Sequence, residues 1–353
     1  MVRGRPGWVS LLLALSLVLA ACGGTPAAKT GSQQGQTQGN GTASTKTIRV
    51  GLVTDVGGLN DHSFNYLANQ GLQRAIQQLG VQGKVVESHN QTDYVPNLTN
   101  FAQQGYDLVI AVGFLMTDAV KQVAPQYPNT KFLLIDDQIT GIPNVASAMF
   151  RSEQAGYLVG ALTGLAEKNH ALPNLKGQDK VAVIGGMKIP PVDSYIAGFQ
   201  AGVKAVDPKI QVNLVYEGKF DDPTGGREVA LSQIAQGADI LFHVAGGTGT
   251  GVINAAEAQK VYAIGVDADQ NYLAPDTVIT SALKRVDVAT FDIIKAVKDG
   301  TFQSGVHWFD LKNDGVGYAK PIAAVPQSIV QQVEQIRQQI IDGKIQVPAT
   351  VGK

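Results

Sequence analysis

Residues Asp107-Leu108-Val109-Ile110-Ala111-Val112-Gly113 place five apolar side chains in a row between a carboxylate and a glycine. Strict alternation would mark a strand wet on one face. An unbroken run marks a strand covered on both faces, as in a parallel sheet between two layers of helices. Runs at Ile48 to Val53, Lys84 to Glu87, Phe132 to Ile135 and Val145 to Met149 extend the pattern outward. Helical spacing fills the intervals at Phe64 to Leu79, Val95 to Gln104 and Thr117 to Val123. This βαβ rhythm predicts a parallel sheet. A second set follows, with strands at Val181 to Ile184, Val212 to Tyr216, Ile240 to Val244 and Val261 to Val266. Helices are predicted near Val192 to Ala205, Arg227 to Gln236 and Thr250 to Gln259. Val278 to Leu283 and Val306 to Leu311 flank a helix from Val286 to Lys298 and are expected to be crossovers between two lobes. A last helix, Pro326 to Asp342, carries Ile329, Val330, Val333, Ile336 and Ile340 at helical spacing and is expected to pack on the second lobe.

The amino terminus reads differently. Arg3 and Arg5 precede an apolar run from Leu11 to Leu19, about half the ~20 residues that a membrane-spanning helix needs, so residues 1–21 are expected to be a secretory signal. Cys22, the only cysteine, follows Leu19-Ala20-Ala21 and resembles the cysteine of a bacterial lipobox, which implies lipidation there and a lipid anchor in the cell membrane on the extracytoplasmic face. A single cysteine also excludes an intramolecular disulfide. Residues 22–46 are rich in Gly, Ser, Thr, Gln and Ala, a composition that reads as a flexible tether with a reach of roughly 27 Å. A net charge of −1 with 16% charged residues offers no basic stripe, so nucleic acid is not an expected partner.

In open parallel sheets ligands bind beyond the carboxyl ends of the strands. The first such loop runs Thr54-Asp55-Val56-Gly57-Gly58-Leu59-Asn60-Asp61-His62-Ser63-Phe64-Asn65 and opens a helix. It reads either as a glycine turn with Asp61 or Ser63 capping the helix or as part of a site. Asp136-Asp137, Ala245-Gly246-Gly247-Thr248-Gly249-Thr250-Gly251 and Asp267-Ala268-Asp269-Gln270 follow later strands. The glycine run lacks the Lys-Ser/Thr of a P-loop and the dinucleotide spacing. The five histidines show no metal-ligand spacing, so neither a metal nor a cofactor is expected.

Those loops, with Phe150-Arg151-Ser152-Glu153-Gln154-Ala155-Gly156-Tyr157-Leu158, Ala197-Gly198-Phe199-Gln200-Ala201-Gly202 and Ser281-Ala282-Leu283-Lys284-Arg285-Val286-Asp287, resemble the basic membrane protein family of substrate-binding lipoproteins. The likeness runs through essentially everything after the tether. It implies an α/β fold of two doubly wound parallel-sheet lobes joined by a three-segment hinge, resembling type I periplasmic binding proteins. It also implies a monomer that takes a purine nucleoside into the interlobe cleft and delivers it to an ABC permease, without catalysis. Carried over residue by residue, Phe64 and Phe199 would sandwich the base and Asn65 and Asp136 would read it. Asp55, Gly247, Asp267 and Lys284 would lie around the ribose. The competing roles are core packing for the two phenylalanines, turn or capping positions for Asp136 and Asp267, and a solvated surface for Lys284. Lobe one is expected to comprise 47–150 plus 283–305, and lobe two 151–282 plus 306–353. A ligand sensor or surface protein with the same cleft is the alternative function. A nucleoside hydrolase is the weaker one, since the paired aspartates of its amino-terminal loop are incomplete where Val53 and Thr54 precede Asp55.

Overall fold

The computed structural model describes residues 47–352. The expected signal, the tether and Cys22 lie outside the described residues. The first lobe opens with β1 (Arg49–Val53), α1 (Phe64–Leu79), β2 (Gln82–Val86), α2 (Tyr94–Gln103), β3 (Leu108–Ala111), α3 (Thr117–Val123), β4 (Lys131–Ile135) and β5 (Val145–Phe150). The second continues with α4 (Ser152–Lys168), β6 (Lys180–Gly185), α5 (Pro190–Val206), β7 (Gln211–Tyr216), α6 (Pro223–Ala235), β8 (Ile240–Val244), α7 (Thr248–Gln259), β9 (Tyr262–Asp267) and β10 (Val278–Lys284). Then come α8 (Val286–Lys298), β11 (Gly305–Phe309), β12 (Val316–Tyr318) and α9 (Gln327–Ile341).

These strands form two six-stranded sheets, ordered β11-β5-β4-β3-β1-β2 and β12-β10-β9-β8-β6-β7. Every pairing is parallel except β10 with β12. Leu52 pairs with Ile110 and Ile110 with Leu133, so the run that opened the sequence lies in mid-sheet, fully buried. The chain passes between the sheets after β5, after β10 and after β11. Arg151 N–H donating to the Phe309 carbonyl and Arg285 N–H donating to the Gly315 carbonyl tie these passages together.

One boundary differs from expectation. Val306 to Phe309 pair in parallel with Ser147 to Phe150 and so belong to the first sheet, not the second lobe. The preceding α8 packs on α1, which returns the chain to the first sheet's edge. α9 buries Ile329, Val333 and Ile340 and packs against α4.

In the second lobe α4 and α5 meet along reciprocal glycines. A Cβ at Gly198 would lie 2.0 Å from the Glu153 carbonyl oxygen, and one at Gly160 would lie 2.3 Å from that of Phe199. Backbones so close leave no room for a larger residue, and they fix how α5 is rotated about its own axis.

Candidate functional site

The loop after β1 is organised by one carboxylate. Asp61 accepts the backbone N–H groups of Ser63 (2.9 Å), Asn65 (2.7 Å) and Tyr66 (3.0 Å), satisfying the donors that the start of α1 leaves open. Burial pushes its carboxyl up to about 6 against the pull of those bonds. Capping and site-building are therefore both true of this loop. With α1 fixed, Asn65 turns back to Asp55: its Nδ2 donates to Asp55 Oδ1 (2.7 Å) and to Asp61 Oδ2 (3.1 Å), and its Oδ1 accepts the Asp55 N–H (3.1 Å). Burial raises the Asp55 carboxyl to about 7, opposed by the bonds from Asn65 and Gly57. Gly113, after β3, has φ +125° and lies where a Cβ would be 3.0 Å from Asp55 Oδ2 and 3.5 Å from the Phe64 ring. A side chain there would fill the space these two residues face.

A second polar group forms where β4, β9 and β10 end. Asp136 and Asp267 adopt left-handed backbone conformations, φ 70° and 60°, which turn their side chains out of the strand line. Asp136 Oδ2 lies 2.6 Å from Lys284 Nζ, both side chains being buried. Burial raises the Asp136 carboxyl, with the Lys284 charge opposing. The ammonium also stands 5.2 Å from the Phe64 ring, 5.4 Å from Phe150 and 5.2 Å from Tyr195, where cation–π attraction adds to the ion pair. Asp267 accepts from Ser63 Oγ of the first lobe (2.6 Å) and from Tyr195 Oη of the second (3.0 Å). Burial, and then the Asp267 charge, hold the Tyr195 hydroxyl well above its usual range.

Both groups line one cavity between the lobes. Its apolar walls are Phe64, Phe114 and Leu115 from lobe one and Ile189, Pro191, Val192 and Phe220 from lobe two. Asp55, Phe64, Asn65, Asp136, Asp267 and Lys284 thus meet as expected residues of one cavity. Asp136 does not join Asn65, however, but pairs with Lys284.

Two expected residues do not line the cavity. Phe199 is fully buried, its ring 5.0 Å from that of Phe242, because the glycine seam turns its face of α5 into the core. Gly247 lies one residue behind the wall, and Gly246 takes its place there. Sequence reasoning missed Phe220 and Tyr195. Phe220 sits in the polar stretch Gly218-Lys219-Phe220-Asp221-Asp222 beyond β7, and an aromatic alone in a loop past a strand end was the available signal. Tyr195, inside an amphipathic helix, carried no such mark. Among the described residues no group of three or more His, Cys, Asp or Glu is set to hold a metal ion.

Comparison with known proteins agrees with this architecture. The family described as ABC transporter substrate-binding protein PnrA-like (Bmp) matches residues 48–351. The ABC transporter nucleoside-binding protein BmpA of Lactococcus lactis is 34% identical over 86% of this chain and 89% of its own length. The CD4+ T-cell-stimulating antigen of Listeria innocua is 34% identical over 96% of this chain and 97% of its own. The crystal structure of an ABC transporter solute-binding protein from Aeropyrum pernix superposes with a TM-score of 0.80 at 30% identity, covering 86% of this chain and 94% of that one. The two lobes are those of type I periplasmic binding proteins. The chain belongs to the PnrA-like, or basic membrane protein, family of ABC transporter substrate-binding proteins.

Proposed function

We propose that the chain binds a purine nucleoside in the interlobe cavity and delivers it to an ABC permease, as a monomer held at the extracytoplasmic face by a lipid on Cys22. The observation that carries this reading is that one cavity is lined by two hydrogen-bonded polar groups, Asp55 with Asn65 and Asp136 with Lys284, together with aromatic side chains from both lobes. A nucleoside offers the matching features, with hydrogen-bonding groups on the base edge, flat π faces and a cluster of hydroxyls. Both Asn65 Nδ2 hydrogens are already committed to Asp55 and Asp61, so Asn65 positions Asp55, and Asp55 meets the base edge. Phe64 and Phe220, one from each lobe, cover the faces. Phe220 takes the role that the resemblance gave to Phe199. Asp136, Asp267 and Lys284 meet the hydroxyls, where carboxylates accept short charge-assisted bonds.

A 5′-monophosphate would add about two negative charges to a cavity lined by Asp55, Asp61, Asp136 and Asp267 with Lys284, and should bind poorly. A free base would make none of the hydroxyl contacts with Asp136, Asp267 and Lys284, and should bind more weakly than the nucleoside. Titrating the protein calorimetrically with guanosine, guanine and guanosine monophosphate, and repeating the series with adenosine and its counterparts, tests this. Preference for the nucleoside is expected in at least one series. Equal affinity for base and nucleoside in both would end the reading. For the anchor, mass spectrometry of the full chain should find a lipid that Cys22→Ala abolishes, and a lipid-free wild-type protein would refute it.

A further inference from the structure

Beside the cavity, hydrogen bonds between the lobes converge on His62 and Ser63 of lobe one. Ser63 Oγ donates to Asp267 Oδ2 (2.6 Å), Gln270 Nε2 donates to the His62 carbonyl (3.2 Å), and Tyr272 Oη is bonded to His62 Nδ1 (2.9 Å). The Tyr272 and His62 rings also meet edge to face, 6.0 Å apart, although Tyr272 is 57% exposed and one of two large apolar residues standing in solvent among those described. His62 has a left-handed backbone (φ 53°), which turns its carbonyl and ring out of the line of the loop.

Gln270 is built for this contact. It is fully buried, and its Oε1 accepts the Val266 N–H (2.9 Å) while lying 2.8 Å from His243 Nε2. A backbone N–H is always a donor and a carbonyl always an acceptor, so the amide has one orientation, with Nε2 aimed across the cleft. Buried His243, its ring held well down toward the neutral form by desolvation, then carries its proton on Nε2. Gly265 makes room, since a Cβ there would be 2.8 Å from Gln270 Oε1. A buried amide whose oxygen is held from two sides in one lobe, and whose nitrogen donates to the other, specifies how the two lobes meet.

We propose that Gln270 and Tyr272 form with His62 an interlobe catch that sets how long the closed cleft retains its ligand. They are positioning residues, for neither lines the cavity. The catch is hung from the loop that carries Asp267, so the ligand contact and the lobe contact are made by one short segment. This inference rests on the nucleoside reading for its ligand but not for its geometry.

Gln270→Glu keeps both acceptor bonds and sets a carboxylate oxygen against the His62 carbonyl. Tyr272→Phe keeps the ring and removes only the hydroxyl. Stopped-flow measurements with guanosine, adenosine and inosine on the full chain should show release faster by about tenfold in Gln270→Glu and about threefold in Tyr272→Phe, with association changed less than about twofold. A damaged site would slow association as well. Small-angle scattering of the ligand-free protein gives a second readout, in which Gln270→Glu should enlarge the radius of gyration. Should Gln270→Glu fail to fold, the surface variant Tyr272→Phe carries the kinetic test alone. Unchanged release in both variants, association slowed as much as release is accelerated, or equal radii would overturn the catch. If none of the three nucleosides bound while the radii differed, the catch would stand and the nucleoside reading would fall.

Discussion

At one end of the cavity Asp55, Asn65 and Asp61 hold one another across ten residues of sequence, entirely within the first lobe. At the other end Lys284 and Asp136 meet across 148 residues, and Ser63 and Asp267 across 204. The first group forms with the turn that starts α1, so it exists whether or not the lobes meet. The second gathers the ends of β4, β9 and β10 with Tyr195 of α5, and is complete only when both lobes contribute. A ligand can therefore be engaged first by the local group and enclosed by the assembled one, the order that hinge closure requires.

The largest effect expected bears on what supports the assembled end. Phe199→Ala should leave a cavity between α5 and β8, against Phe242, and destabilise the protein by about 4 kcal/mol. Nucleoside affinity should stay within a few-fold where the variant remains folded. Chemical denaturation paired with calorimetry checks both, and loss of affinity without loss of stability would restore Phe199 to the ligand. Next comes Lys284→Met, which leaves Asp136 buried without its partner and should cost about 3 kcal/mol near pH 8. Because burial already raises the Asp136 carboxyl, removing the lysine raises it further. The penalty should then shrink as pH falls and the acid takes up a proton. A penalty that grew on acidification would contradict the pairing. Asp136→Asn combined with Lys284→Met should recover most of the loss.

A smaller effect tests the faces between the two ends. Phe64→Ala and Phe220→Ala should each weaken nucleoside binding by about 2 kcal/mol, in the range seen for aromatic platforms under bases. Phe64 also stands over Lys284, so its variant should disturb the assembled end as well, whereas Phe220 packs over Gly57 beside the local one. Calorimetry that found both variants unimpaired would remove the stacking model.

Which features could be read from sequence follows from the same contrast. The mid-sheet strands were legible because burial on both faces leaves unbroken apolar runs, as at Leu108 to Ala111. β11, Gly305–Phe309, is a half-exposed edge strand, and nothing in its five residues tells which sheet it joins. Asp55, Phe64 and Asn65 were legible because a strand end and a helix start fix them locally. Phe199 was misplaced because one face of a helix differs from the next only through its packing, and that was set by glycines on a second helix some 40 residues away (|i−j| = 39 from Gly160). Phe220 and Tyr195 reach the cavity only through the meeting of lobes, which leaves no local pattern.

The smallest effect isolates the local end. The Asp55 carboxyl is raised to about 7 in the folded protein, above its ordinary value of 3.8. A group raised in this way favours folding most below its unfolded value, and that contribution is lost as pH climbs through the folded one. Between pH 6 and pH 8 the wild type should therefore lose about 1 kcal/mol that Asp55→Asn does not lose. Asp61, raised to about 6 in the same loop, slopes the same way, so only the difference between wild type and variant reports on Asp55. The bonds that Asn65 and Gly57 donate to Asp55 Oδ1 survive in the variant if the amide oxygen takes that place, which keeps the loop intact. Denaturation curves at several pH values, each run for both proteins, give the difference directly. Parallel curves would mean that Asp55 is ionised throughout this range, and that the local end presents a full negative charge to the base edge.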